Sequence, residues 1–179
     1  MLRYGILGLL NYGEMTGYEI MQVFRDSLSY FWYAQTSQIY RELKTLEKDG
    51  FVTERTVRQT DKPDKNIFTI TDAGRQELLG WLSLTPDTRA RSRLMMQVFF
   101  LGERTAEENL LWFRNLRDGC LKQMADMAPT SGASRRYGER IEGGLRTLYW
   151  DMTIDYGLRT YQMLLDWCES CIKKLEELT

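Results

Sequence analysis

The sequence predicts a mainly α chain with one small β-hairpin, divided near residue 85 into a mixed N-terminal part and an all-helical C-terminal part. Three observations lead there. Apolar residues recur at three- and four-residue steps through most of the 179 positions, which is the period of an amphipathic helix. One stretch, residues 51–71, is instead rich in Val, Thr, Ile and Phe and is split by a polar, proline-containing run at 60–65, the pattern of two short strands around a turn. Thr85-Pro-Asp87 is the best linker signal, because the residue before a proline is driven out of the helical region.

The elements follow in order. Leu2, Ile6, Leu9 and Leu10 share one face of a first short helix, over about 2–12, that stops at Asn11 and Gly13. Thr16 followed by Glu19 makes a capping box and opens a second helix, about 17–28, with Ile20, Phe24 and Leu28 as its stripe. The aromatic connector Tyr30–Tyr33 leads to Thr36 and Ser37, either of which can cap a third helix that turns Ile39, Leu43 and Leu46 inward and closes at Asp49-Gly50. Residues 51–59 and 66–71 form the hairpin, and Thr71-Asp72 caps a fourth helix over 73–84. Leu94 to Leu101 is a short apolar segment ended by Gly102. A second capping box, Thr105 with Glu108, opens a helix to about Met127, followed by a loop at 128–133. The last helix runs from about Ser134 to Leu178, with a break near Gly143-Gly144 left open.

Composition narrows the chemistry before any motif is read. The chain has no histidine, so it cannot build a Ser-His-Asp or Cys-His nucleophile pair, a histidine metal site or an imidazole switch. No paired-carboxylate constellation and no nucleophile with a base stands out, so no catalytic residue, metal or cofactor is expected. The formal charge is −1, with 24 Lys plus Arg against 25 Asp plus Glu, so bulk charge does not announce a nucleic-acid partner. No stretch reaches the roughly 18 apolar residues of a membrane span, and the first residues lack a signal-peptide pattern. An odd number of cysteines, three, argues against a disulfide framework. A cytoplasmic protein without a membrane partner is expected.

Helix, helix, helix, hairpin, helix within about 85 residues is the plan of a winged helix-turn-helix, whose third helix enters the major groove of DNA while the wing touches the backbone. The third helix fits that use. With Ile39, Leu43 and Leu46 inward, Ser37, Gln38, Tyr40, Arg41, Lys44 and Thr45 are left for solvent, Thr36 just before them is a further DNA-binding candidate, and no acid occurs between Phe31 and Arg41. Hydroxyl, amide and guanidinium groups near a helix N-terminus suit phosphate oxygens and base edges. The wing sets Arg55, Arg58, Lys62 and Lys65 against Glu54, Asp61 and Asp64, a weakly basic patch. The bland alternatives are packing for Tyr18 and Tyr40, a solvated face for Arg41 and Lys44, and loop solubility for the wing.

Four stretches carry a resemblance: residues 7–10 (LGLL), 16–20 (TGYEI), 37–50 (SQIYRELKTLEKDG) and 62–75 (KPDKNIFTITDAGR). In this order and spacing they resemble the PadR family of bacterial transcriptional regulators. The segment Trp150–Gly157, with Trp167 and the run 174–176, is similar to the helical dimerisation region of that family's longer members, so the resemblance spans nearly the whole chain. It implies a winged helix-turn-helix at 1–85 and a helical dimerisation domain at 86–179. It also implies a homodimer on a roughly palindromic site of double-stranded DNA, usually acting as a repressor. The family's DNA-facing positions fall on Tyr18, Ser37, Gln38, Tyr40, Arg41, Lys44, Lys62 and Lys65. Phe68 stands where the family more usually has tyrosine.

In the C-terminal half, Leu148, Met152, Tyr156, Tyr161, Leu165, Cys168, Ile172 and Leu175 read as an apolar stripe on a helix too long to be covered by one small domain, so a second copy is its expected partner. Trp112, Trp150 and Trp167 are candidates for a pocket taking a small aromatic effector, against the plainer reading that they are core. Cys168 and Cys171 form a C-x-x-C; a thiol-responsive regulator is the alternative to two buried thiols. A protein-interaction module built on the same winged helix is the remaining alternative, disfavoured by the polar set on the third helix.

Overall fold

The computed structural model describes residues 1–28, 31–58, 64–86, 92–127 and 144–178. They divide into two units, Met1–Pro86 and Asp87–Thr179. The first contains α1 (Leu2–Leu10), β1 (Met15–Thr16), α2 (Gly17–Val23) continued by a π-helical turn at Phe24–Leu28, α3 (Thr36–Lys48), β2 (Val52–Val57), β3 (Lys65–Ile70) and α4 (Asp72–Leu82). The second contains α5 (Arg93–Phe99), a 3-10 turn at Leu101–Glu103, α6 (Ala106–Met127) and α7 (Gly144–Glu176). The loop at 128–133 and the residues proposed to begin the last helix lie outside the described residues.

Local chemistry sets the element ends. Thr16 Oγ1 accepts the Glu19 amide at 3.2 Å while Glu19 Oε2 accepts the Thr16 amide at 2.7 Å, so the expected capping box opens α2. The same reciprocal pair forms between Thr105 and Glu108 at the start of α6, and Thr71 Oγ1 accepts the Gly74 amide at the start of α4. At the end of α3, Gly50 takes a left-handed φ of 77°. Phe51 then donates its amide to Leu46 and Gly50 to Glu47, the return that a C-terminal glycine makes accessible.

One expectation is corrected and another is extended. The cap of α3 is Gln35, not Thr36 or Ser37; Gln38 Oε1 accepts the Gln35 amide at 2.9 Å, because a glutamine three residues into the helix can reach back as glutamate does. The expected hairpin is present as β2 and β3, and β1 extends it to a three-stranded antiparallel sheet in the order β1-β3-β2. Met15 pairs with Phe68 and Thr16 with Ile67, in a strand of two residues that no periodicity can announce.

The first core joins α1, α2, α3, the sheet and α4. Ile6, Leu7, Ile20, Ile39, Leu43 and Leu46 are fully buried, so the stripes assigned to these helices do face inward. Phe68 and Ile70 fill the core from alternate positions of β3, and the aromatic position that departs from the family's tyrosine is therefore interior. In the second unit Leu110 and Phe113 of α6 pack on Cys168 and Ile172 of α7. Arg114 pairs with Glu176 at 2.7 Å and Arg117 with Glu169 at 3.4 Å, so rising numbers on α6 meet falling numbers on α7 and the helices run antiparallel.

The single stripe expected on the last helix is two stripes. Between Tyr156 and Tyr161 the spacing is five residues, which at about 100° per residue rotates the stripe by roughly 140°. Leu165 is buried, and Cys168, Ile172 and the half-buried Leu175 pack against α6 of the same chain, not held open for a second copy. Leu148, Met152 and Tyr156 are exposed, the last at 72%. Leu145 at 65% extends that open face one turn toward the N-terminus.

Candidate nucleic-acid interface

The helix-turn-helix is held by a close approach of α2 to α3. A Cβ on Gly17 would lie 2.5 Å from Tyr40 Cε1, so glycine at the first position of α2 leaves room for the tyrosine ring, and Tyr40 combines packing with a 45% exposed surface. Tyr18, next along α2, is 61% exposed. Ser37 and Gln38 are exposed on the first turn of α3. Because Gln38 Oε1 is used by the Gln35 amide, the group it offers outward is its NH2 donor pair. Thr36 Oγ1 donates to Met21 Sδ at 3.1 Å, tying the start of α3 to α2.

Two cations of α3, Arg41 and Lys44, have different environments. Arg41 is exposed and makes no ion pair with a described residue. Lys44, one turn later, pairs with Glu47 Oε2 at 3.3 Å and with Glu54 Oε2 of β2. Those two hydrogen bonds, stronger than the opposing desolvation, push its ammonium pKa above the ordinary lysine value. Of the wing cations, Arg55 is paired with Glu14 at 2.7 Å, while Arg58 and Lys65 are exposed. Lys62 lies outside the described residues. The Glu14–Arg55 and Glu54–Lys44 pairs were not foreseen; Glu54 was legible only through strand parity, since it shares a face with buried Val52 and stands opposite buried Phe68.

The three tryptophans named for an effector pocket do not converge within one chain. Trp112 and Trp167 both meet Phe113 edge-on, with ring centroids 4.9 and 5.5 Å apart, whereas Trp150 lies 17 residues back along α7, about 25 Å at the helical rise. Trp112 does line a cleft of about 400 Å³, but with Arg93, Met96, Gln97, Phe100, Leu101 and Arg104. Cys120 and Cys168 are buried and Cys171 is half-buried. Burial, with lesser repulsion from neighbouring thiols and Glu169, pushes the Cys168 thiol up to about 11, opposite to the shift that makes a thiol reactive. Among the described residues no His, Cys, Asp and Glu cluster could hold a metal ion, and no helix is long and apolar enough to cross a membrane.

Comparison with known proteins agrees with this architecture along its length. The transcriptional regulator PadR-like family matches residues 6–79, and the C-terminal family of virulence activator alpha matches residues 90–176. The negative transcriptional regulator PadR of Bacillus subtilis is 37% identical over 155 residues, 79% of this chain and 85% of that protein. The structure of B. subtilis PadR in complex with operator DNA is similar with a TM-score of 0.79 and 29% identity, covering 97% of this chain and 98% of the other. Its complex with p-coumaric acid gives 0.77 and 28%, covering 98% of each chain. A winged helix-turn-helix of this element order, followed by an antiparallel helical unit and matched over most of its length by a PadR protein, places the chain in the PadR-like family of transcriptional regulators.

Proposed function

We propose that this chain is a repressor that binds a roughly two-fold-symmetric operator as a homodimer, with residues 1–85 reading DNA and residues 86–179 dimerising. The observation that carries the reading is the outer face of α3. There Ser37, the Gln38 amide, Tyr40 and Arg41, which makes no ion pair with a described residue, stand together with no acid in the preceding ten residues, on a helix whose family relative has been solved on operator DNA. Thr36 and Ser37 amides at the helix start suit a phosphate oxygen, Arg41 suits a guanine edge, and Tyr18, Arg58, Lys62 and Lys65 supply backbone contacts from either side. Lys44 is set apart from this list by its two carboxylates. Catalysis plays no part, and a regulator of chromosomal DNA in a bacterium works in the cytoplasm.

A small aromatic acid is the effector class this reading favours. B. subtilis PadR has been solved with p-coumaric acid, and here the Trp112 cleft offers an indole face, Met96 and Phe100, and the guanidiniums of Arg93 and Arg104, which suit a flat ring bearing a carboxylate. Tryptophan fluorescence titrated with hydroxycinnamates reports on it.

Selection from random duplex DNA tests the function. A two-fold motif is expected, with half-sites about one helical turn or roughly 34 Å apart. Arg41→Ala should weaken that duplex and lower the slope of log K against log salt by about 0.9 per protomer if the contact is to phosphate, or relax the preferred base if it is to a base edge. A library that yields nothing above background at low salt would sink the reading.

A further inference from the structure

Glu54 is an acid on the inner face of a DNA-binding wing. In β2 the side chains of Val52 and Glu54 share the face that packs on the helices, and Glu54 stands directly opposite Phe68, which is 2% exposed. The Glu54 side chain is accordingly only 11% exposed. Oε2 accepts from Lys44 Nζ, and Oε1 is buried with no hydrogen-bond partner among the described residues. Glu47, from the same helix as Lys44, holds that ammonium from a second side at 3.3 Å. Lys44 is therefore met by two carboxylates, whereas Arg41, one turn earlier, is met by none among the described residues.

The geometry points to Glu54 as a positioning residue that acts through Lys44, holding its ammonium on the wing strand and withholding it from the DNA backbone. This rests on the DNA-binding reading above. Phosphate contacts raise affinity for every sequence and carry no base information, so a cation kept off the phosphates lowers binding to operator and non-operator DNA by the same factor while Arg41, Tyr40 and Gln38 still read base edges. Specificity is the ratio of the two affinities, so Glu54 sets the sequence-independent strength and the salt sensitivity of binding and leaves that ratio to the base-reading side chains. The anchorage also joins α3 to the wing, so the two DNA-facing parts approach the duplex as one piece.

The test uses the full chain, the selected operator and a scrambled duplex, with affinity measured by fluorescence anisotropy over a salt series. Glu54→Gln removes the anion and keeps the shape. It should steepen the salt slope by about 0.9 per protomer and tighten both duplexes ~5-fold per protomer near physiological salt, with the operator preference unchanged. The double variant Lys44→Met, Glu54→Gln removes both charges and should keep the wild-type slope. Three results overturn the proposal. The slope could be unchanged in Glu54→Gln; the double variant could lose about 0.9 per protomer, as a phosphate contact would; or Glu54→Gln could steepen the slope equally in a Lys44→Met background, which would make Glu54 a direct repeller of DNA. Should Glu54→Gln fail to fold by circular dichroism, the neutral double variant decides alone. A wild-type chain that binds no duplex overturns the DNA-binding reading beneath the proposal, and is told apart because no variant is needed to see it.

Discussion

Gly17 and Cys168 show how single positions are set by what lies next to them. A methyl group on Gly17 would sit 2.5 Å from the Tyr40 ring, a distance that forces the ring to move. Gly17→Ala is expected to cost about 1 to 3 kcal/mol by overpacking and to weaken operator binding beyond that loss, because Tyr40 is displaced from the outer face of α3; thermal melts beside anisotropy separate the two effects. Cys168 is fully buried, and its thiol is raised from 9.0 to about 11. The protonated thiol is therefore favoured by folding. Its contribution is present in full below pH 9 and is lost as pH rises through about 11, up to about 2 to 3 kcal/mol. Urea melts across that window should show an alkaline loss that Cys168→Ala reduces. At neutral pH only about one thiol in ten thousand would be ionised at such a value, so slow labelling of native protein by a thiol reagent is the expected companion result. That inertness favours the packing role of the C-x-x-C over a redox one.

Elements in this chain are specified by reciprocal caps more than by propensity. Thr16 with Glu19, Gln35 with Gln38 and Thr105 with Glu108 each tie the entry of a helix, and the two that use threonine were legible as S/T-x-x-E. Thr105→Ala is expected to cost about 1 kcal/mol, read by urea denaturation, with the DNA contacts of the first unit untouched. The cap at Gln35 was missed because glutamine is a weak N-cap, so the rule favoured the hydroxyls of Thr36 and Ser37. β1 was missed for a different reason: two residues pair only because β3 presents a free edge. In α7 the five-residue step at Tyr156–Tyr161 was visible in the numbering, but its consequence needed the partner helix α6, which covers Cys168 and Ile172 and leaves Leu148 and Met152 open.

For the molecule as a whole, that open face is the strongest support for a dimer. Leu145, Leu148, Met152 and Tyr156 recur at three- and four-residue steps, and all are exposed among the described residues, an arrangement soluble monomers avoid. Leu148→Glu with Met152→Glu is expected to shift the chain toward monomer in sedimentation velocity and to roughly halve the salt slope of operator binding, since half the phosphate contacts leave with the second protomer. The pair Leu165→Glu with Ile172→Glu should instead unfold the second unit, because those side chains fill its own core. A dimer that survives the first pair unchanged would place the interface elsewhere.

The sequence by itself determined the element order, the two threonine capping boxes, the inward stripes of α1, α2 and α3, and the family. All of these are read from residues close together in the chain, where spacing translates directly into direction. The tertiary structure decided which charges are available. Arg41 and Lys44 look alike in the sequence, three residues apart on one helix, yet Glu54, ten residues further on and in another element, meets only Lys44. It likewise decided which half of the α7 stripe is core and which tryptophans share a surroundings. These depend on what packs against a face from elsewhere in the chain, and a one-dimensional pattern records the direction of a side chain but not its neighbour.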